Sequence, residues 1–225
     1  MNTPSPLNPS DSFRNFTSRP DLPAITENTR VFFLRHPQPS PEYSGKIYGQ
    51  MDAPLSEEGQ RVADKFVYRL RSLTFRIVYT SDLSRALYLS DSLVRLFGAG
   101  RCKEPRLRER HYGEWQGLRW KDLDPMALAA YEADKTMAPP GGESFQDVAA
   151  RSLPVVDEIV RRHIGEEVAV VAHSNVIRAV VSDALGIPPS KAFSFQLKHC
   201  SVTAIDYRDA LARGRHNPYV AILNG

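Results

Sequence analysis

The sequence predicts an α/β fold built on a largely parallel sheet. Three observations carry that reading. Short apolar runs, Val31-Phe32-Phe33-Leu34, Phe75 to Tyr79 and Val168 to Ala172, are separated by stretches with helical spacing. The first and last runs are unbroken rather than alternating, which suits strands buried on both faces. Each run then stops at polar residues, Arg35-His36, Ser81-Asp82 and His173, on the edge where open parallel sheets place their ligands.

Length and composition bound the possibilities. A chain of 225 residues supports one good-sized core, and one domain is the default. With 42% hydrophobic and 24% charged residues it has the balance of an ordinary globular protein. The formal charge of +3 is small and the basic residues are interleaved with acidic ones, so no nucleic-acid stripe is present. Cys102 and Cys200 have neither disulfide-framework nor metal-ligand spacing and read as small core residues. No apolar stretch approaches the roughly 20 residues that span a bilayer, and the start lacks a signal pattern. The expectation is a cytoplasmic protein with no membrane partner, no cofactor and no metal.

Taken in order, residues 1–29 are rich in Pro, Ser, Asn and Thr and read as a flexible extension, with the folded domain over 30–225. The first strand ends at His36, because Pro37 lacks an N–H and biases its predecessor away from helix. On this dipeptide alone, an edge strand ending in two polar residues reads equally well. A long loop runs from Pro37 to Leu55, and loops of that length in a compact domain are commonly functional. Ser56 caps a helix with acids in its first turn and Val62, Phe66, Leu70 and Leu73 toward the core. After the strand from Phe75 to Tyr79, a helix spans Ser84 to Phe97 and stops at Gly98 and Gly100. Residues 107–142 form an insertion over the sheet's carboxyl edge, with one or two short helices between Trp120 and Met137. Glu143 to His163 is a long amphipathic helix, capped near Ser144 and interrupted by Pro154. After the Val168 strand a helix starts directly beyond His173 and ends at Gly186. Ser201 to Tyr207 and Tyr219 to Leu223 read as closing strands.

Parallel strand ends converge, so two imidazoles, His36 and His173, meet two guanidiniums, Arg35 and Arg85. Arginine forks suit phosphate oxygens. A helix starting after His173 adds N–H groups to an anion site. A histidine beside arginines stays neutral and nucleophilic. Phosphoryl transfer to such a histidine also needs an acid for the leaving oxygen, and Glu109 is the best-placed carboxyl group.

These residues resemble the histidine phosphatase superfamily, also called phosphoglycerate-mutase-like, over Val31 to about Tyr207. Leu34-Arg35-His36 resembles the family's nucleophile motif. Tyr48 to Gly59 is similar to its loop into the first helix, with the character of alpha-ribazole and broad-specificity phosphatases. Thr80 to Ala86 resembles the segment carrying the second arginine, Arg85. Leu107-Arg108-Glu109 with Gly113-Glu114-Trp115-Gln116-Gly117 resembles the acid motif. Gly142-Glu143-Ser144 and Ala172-His173 match the rest. The resemblance implies a three-layer α/β/α sandwich with a mostly parallel central sheet. It also implies His36 as the phosphorylated residue, Arg35, Arg85 and His173 on the phosphate, and Glu109 as proton donor. Dimers are common in the family, but no exposed apolar strip here identifies an interface.

Two departures bear on the pocket. Pro37 and the Ser174-Asn175 pair stand where the family usually has glycines, so Ser174 and Asn175 bring side chains to the pocket. Glu42, at a position where relatives often have Asn, is expected to turn outward or the loop to be rebuilt. Tyr43, Tyr48 and Gln50 are candidate pocket-wall residues, and His111 and Tyr112 candidate substrate contacts. Trp115 and Trp120 read as packing, His163 and His199 as surface or cap residues, and His216 as part of a polar loop.

The expected activity is hydrolysis of a small phosphate ester, of sugar or nucleoside-like type, through a phosphohistidine. A phosphoglycerate mutase is the runner-up, disfavoured because the stretch from Gly117 to Gly142 is short for a mutase insertion. A catalytically silent phosphate-ester-binding module is the third reading, supported only by Pro37 and Asn175.

Overall fold

The computed structural model describes residues 28–208 and 217–225. The expected extension over 1–29 lies outside the described residues except at its end, and His216 lies outside them too. Thr29 already belongs to the sheet: it opens β1 (Thr29–Arg35) and its hydroxyl donates to the Val160 carbonyl at 2.8 Å. Thr29 therefore lies in the sheet, within the stretch expected as an extension.

The remaining elements follow in order: α1 (Glu57–Arg69), β2 (Ile77–Thr80), α2 (Ser84–Phe97), β3 (Gly100–Lys103), α3 (Pro125–Ala133), α4 (Phe145–Arg162), β4 (Glu167–Ala172), α5 (Ser174–Leu185), β5 (Val202–Arg208) and β6 (Asn217–Ile222). They form a six-stranded sheet in the order β3-β2-β4-β1-β5-β6. The β1–β4, β2–β4 and β2–β3 pairs are parallel, and β5 and β6 add antiparallel pairs on one side.

β1 explains the layering. Val31 and Phe33 point to a core shared with α4 and α5, whereas Phe32 and Leu34 point to one shared with α1 and α2. All four are fully buried. An unbroken apolar run is what a central strand covered on both faces requires, and the result is the expected three-layer α/β/α sandwich.

The helix boundaries follow their caps. Ser56 Oγ accepts from the Gly59 N–H at 3.1 Å, and Ser144 and Asp147 form a reciprocal capping box on α4. Gly98 and Gly186 end α2 and α5 in the left-handed conformation, at φ 62° and 63°.

Four sequence expectations need correction. Pro154 does not interrupt α4, which is continuous; it sits on the exposed face, as does Ala150 four residues earlier. Val62 is 42% exposed, and Ala63 takes the core-facing position in α1. β2 starts at Ile77 rather than Phe75. β3 was not foreseen: Gly100-Arg101-Cys102-Lys103 is short, polar and mostly exposed, so only its pairing with β2 marks it as an edge strand.

The insertion has its own small core, in which Ile47 from the long loop packs with Tyr112, Trp115, Leu123 and Tyr131. Trp120 stacks on Tyr131 at 5.1 Å, so both tryptophans do pack. Buried Arg110 ties the segment together by donating to the carbonyls of Glu143 and Lys135, each at 2.7 Å, and of Met137. At Gly113, with φ 53°, a Cβ would meet the Pro140 oxygen at 1.9 Å. Only glycine allows this close crossing, which seats the Glu109 segment against Pro140-Gly141-Gly142.

Candidate active site

The central strands deliver their polar ends to one place. β2, β4 and β1 are neighbours, the His36 N–H donates to the Ala172 carbonyl at 3.2 Å, and the Ser81 N–H donates to Val171 at 3.0 Å. His36 and His173 thereby lie side by side, ring centroids 4.8 Å apart and both buried.

One hydrogen bond fixes the chemistry of His36. Its Nδ1 lies 2.6 Å from the Pro37 carbonyl oxygen. A carbonyl only accepts, so Nδ1 carries the proton and Nε2 keeps a free lone pair. Pro37, expected only to remove a donor, thus supplies the acceptor that sets the tautomer. Burial, reinforced by His173, Arg85 and Arg35, holds the His36 imidazole well below its ordinary value. Burial, Arg85 and Arg35 do the same to His173. Both rings are neutral near pH 7.

Around them are polar atoms with no protein partner. Arg35 Nε, Arg85 Nε and both ring nitrogens of His173 are buried and unpaired within the protein. Polar groups at this depth are normally satisfied, so the two arginine Nε–H groups are left for acceptor oxygens that a ligand brings, and the neutral His173 ring keeps one donor and one acceptor nitrogen for the same ligand. The arginines are braced from behind. Arg85 donates to the carbonyls of Met51 at 2.9 Å and Gly49 at 2.6 Å, and lies 5.0 Å from the Tyr48 ring centroid. Arg35 donates to the Leu197 carbonyl and meets His199 Nε2 at 3.0 Å.

Glu109 is buried beside them. Its Oε1 accepts from the Arg110 N–H at 2.8 Å, from the Asn175 N–H at 3.2 Å and from Asn175 Nδ2 at 3.0 Å. That leaves Oε2 to meet a reacting group. The start of α5 thus reaches Glu109 through the Asn175 N–H, a use of the helix N-terminus that the sequence did not show.

Arg35, Tyr48, Glu109, Ser174 and Asn175 share the wall of a cavity of about 250 Å³. Gln50 and His111 do not line it. Gln50 Nε2 donates to the Glu109 carbonyl at 2.9 Å, and the His111 N–H donates to Glu143 Oε2 at 2.8 Å. Their place is in the support of the acid segment. Tyr43 lines a neighbouring hollow, Glu42 is exposed as expected, and Asp82 is paired with Arg108 at 2.5 Å. Among the described residues no group of three or more His, Cys, Asp or Glu side chains could hold a metal ion, and no helix is long and apolar enough to cross a membrane.

Three residues around the site have contacts that the sequence reading did not foresee. Arg151, on α4, donates to the Glu109 carbonyl at 3.0 Å and pairs with Glu143 at 2.7 Å. Gln116 Oε1 accepts from the Gln50 N–H at 2.9 Å. His199, expected at the surface or a cap, lies 5.3 Å from the His36 ring. The signal for it was topological: β5 runs antiparallel to β1, so it enters the sheet at the edge where β1 leaves. Cys200 takes φ 51° and turns His199 toward Arg35. Burial, with Arg35 and Arg85, lowers the His199 imidazole to about 3. His163 is the C-cap of α4, as expected.

The model of the histidine phosphatase superfamily (branch 1) matches residues 31–215. A metal-independent phosphoserine phosphatase of Arabidopsis thaliana is 33% identical over 209 residues, covering 88% of this chain and 85% of the relative. The native structure of a mycobacterial glucosyl-3-phosphoglycerate phosphatase superposes with a TM-score of 0.79 at 31% identity, covering 88% of this chain and 99% of that one. The alpha-ribazole phosphatase of Shigella flexneri shares the fold, at TM-score 0.76 and 22% identity over 87% of this chain and 96% of that one. By the extent of the family match and the arrangement of its strand ends, the chain belongs to the histidine phosphatase superfamily, branch 1.

Proposed function

We propose that the chain hydrolyses a small phosphate monoester through a phosphohistidine formed on His36. As a member of this superfamily it is a histidine phosphatase, a metal-independent phosphoric monoester hydrolase. The residue roles and the ester are our reading. The observation that carries it is the bond from His36 Nδ1 to the Pro37 carbonyl, which leaves Nε2 unprotonated beside His173 and two arginines, each with an unpaired Nε–H.

The steps follow from the atoms. His36 Nε2 attacks phosphorus in line with the ester oxygen, while Arg35, Arg85 and His173 take the charge on the equatorial oxygens. Glu109 Oε2 delivers its proton to the departing alcohol. The carboxylate left behind removes a proton from the water that attacks the phosphohistidine, returning His36 and free phosphate.

The relatives are named for phosphoserine and glucosyl-3-phosphoglycerate. Those two esters join the sugar and nucleoside-like phosphates suggested by the long loop as candidates. Hydrolysis of an aryl phosphate in the presence of a chelator tests the reading. Release that persists with chelator and disappears in His36→Ala supports it. Binding of inorganic phosphate without turnover of any ester would favour a silent binding module instead.

A further inference from the structure

Arg85 and Glu109 are served by one short stretch of the long loop. Arg85 donates to the carbonyls of Gly49 and Met51, and its guanidinium lies against the Tyr48 ring. Asp52 Oδ1 accepts from the Ser84 N–H at 3.0 Å, one residue before Arg85. The residue between the two bracing carbonyls, Gln50, is bound to the acid segment instead. Its Nε2 donates to the Glu109 carbonyl at 2.9 Å and lies 3.5 Å from Glu143 Oε2, while its N–H donates to Gln116 Oε1 at 2.9 Å. Gly49, at φ 42°, presses on the same segment: a Cβ there would meet Gln116 Oε1, and the Arg110 carbonyl oxygen at 2.9 Å.

The Glu109 carbonyl is shared between two sides of the molecule. It accepts from Arg151 on α4 at 3.0 Å and from Gln50 on the loop. No hydrogen bond or ion pair joins Arg85 to Glu109 among the described residues. Both groups have to meet one ester, Arg85 at the phosphate and Glu109 at the leaving oxygen. Their spacing is therefore set through a third residue, and a misplacement of about 1 Å can cost about 10²-fold in rate.

We propose that Gln50 is a positioning residue that couples the Arg85 clamp to the Glu109 acid. This rests on the phosphatase reading for what the two groups do. The residues on either side of Gln50 supply both carbonyls that brace Arg85, so a shift of Gln50 moves clamp and acid together. Without its Nε2 donor, the Glu109 carbonyl is left to Arg151 alone and the turn loses a tie to the acid segment.

The test is Gln50→Met, which keeps the length of the side chain and deletes the donor. Turnover of glycerol 3-phosphate needs the acid, and its kcat should fall about tenfold. Turnover of p-nitrophenyl phosphate, with a good leaving group, should stay within about twofold. The calorimetric Kd of inorganic phosphate should rise about threefold as Arg85 loosens. Gln50→Lys, which restores a donor between the Glu109 carbonyl and Glu143, should recover part of both losses. If Gln50→Met fails to fold, Gln50→Glu deletes the same donor in the same shape. A residue that only stabilised the loop would lower the melting temperature and leave both the ester ratio and the phosphate Kd unchanged; that result overturns the proposal. A loss confined to one of the two also overturns it, because Gln50 would then support one group rather than link both. In a Glu109→Gln background, Gln50→Met should cost no further kcat on glycerol 3-phosphate while the weaker phosphate binding persists. Glu109→Gln alone separates the two readings. If it spares glycerol 3-phosphate, the acid role falls and takes the proposal with it; if it does not and Gln50→Met leaves the ester ratio intact, only the coupling falls.

Discussion

Arg30 and Arg35 lie on the same strand, five positions apart, and the protein treats them in opposite ways. Arg30, fully buried, faces Asp206 across the β1–β5 ladder and makes two bonds to its carboxylate, at 2.5 and 2.8 Å, with Glu167 at 3.5 Å. Arg35, at the other end, has no carboxylate partner among the described residues; it is braced by a carbonyl and a neutral imidazole, with Nε unpaired. A buried cation that serves the fold is neutralised from within the chain. One that serves a ligand is fixed in position by neutral acceptors and keeps its charge for an incoming anion. Arg85 is treated like Arg35: buried, it is braced by the carbonyls of Met51 and Gly49 and by the Tyr48 ring.

The contrast is broken most severely by exchanging which arginine is lost. Arg35→Met should lower kcat/KM by about 10³-fold while the melting temperature stays within about 2 °C. Arg30→Met should do the reverse. Leaving Asp206 buried without its partner costs about 3–5 kcal/mol, with activity per folded molecule retained. The double variant Arg30→Met with Asp206→Leu should recover most of that loss. Thermal melts beside steady-state kinetics decide it; loss of activity and stability together in both single variants would dissolve the distinction.

Glu109→Gln comes next in size. The amide keeps the acceptor that Arg110 and Asn175 require but carries no transferable proton. We expect kcat to fall by about 10²-fold or more for alkyl phosphates, and less for aryl phosphates whose leaving group needs no proton. An equal loss on both classes would move the acid role to another group.

This acid also shows how far the sequence could be read. Arg35, His36 and His173 could be placed at one edge because parallel strands export their ends there, a rule of topology that needs no contacts; Arg85, in the first turn of α2, was singled out by its place just beyond the β2 end and by the family resemblance. Glu109 was legible as a carboxyl group in the right segment. What held it was hidden, because Arg151, Gln50 and Gln116 come from three distant stretches and act through backbone carbonyls and amides. Those bonds have no sequence signature. His199 was misjudged for a related reason: a lone histidine before a closing strand gains meaning only when that strand is known to run antiparallel.

His36, His173 and the half-buried His199 give the catalytic edge a pH dependence of stability. His36, His173 and His199 all have folded values below the ordinary 6.5, first through burial and then through neighbouring cations. Below about pH 6.5 the unfolded chain therefore binds protons that the folded chain refuses. Their contribution to stability is complete above that pH and is lost as pH falls, by up to about 1.4 kcal/mol per unit for each histidine. Melting temperature should drop between pH 6.5 and 5.5, and saturating inorganic phosphate should blunt the drop by favouring protonated rings beside it. A drop of the same size with phosphate present would assign it to groups elsewhere.

The smallest expected effect concerns how Arg35 is held. His199, lowered to about 3, is neutral through the working range, and its Nε2 accepts from the Arg35 guanidinium at 3.0 Å. It acts by position rather than by proton transfer. His199→Ala should therefore reduce kcat/KM by about tenfold, the worth of one charge-assisted hydrogen bond. His199→Gln, whose amide oxygen can accept from the same donor, should recover part of the loss. Neither variant should shift the pH profile between pH 5 and 8, because a group that stays neutral across that range contributes no limb to it. A displaced limb in His199→Gln would show that this imidazole exchanges protons during turnover. The neutral brace and the ligand-facing cation would then no longer be separate roles at this end of β1.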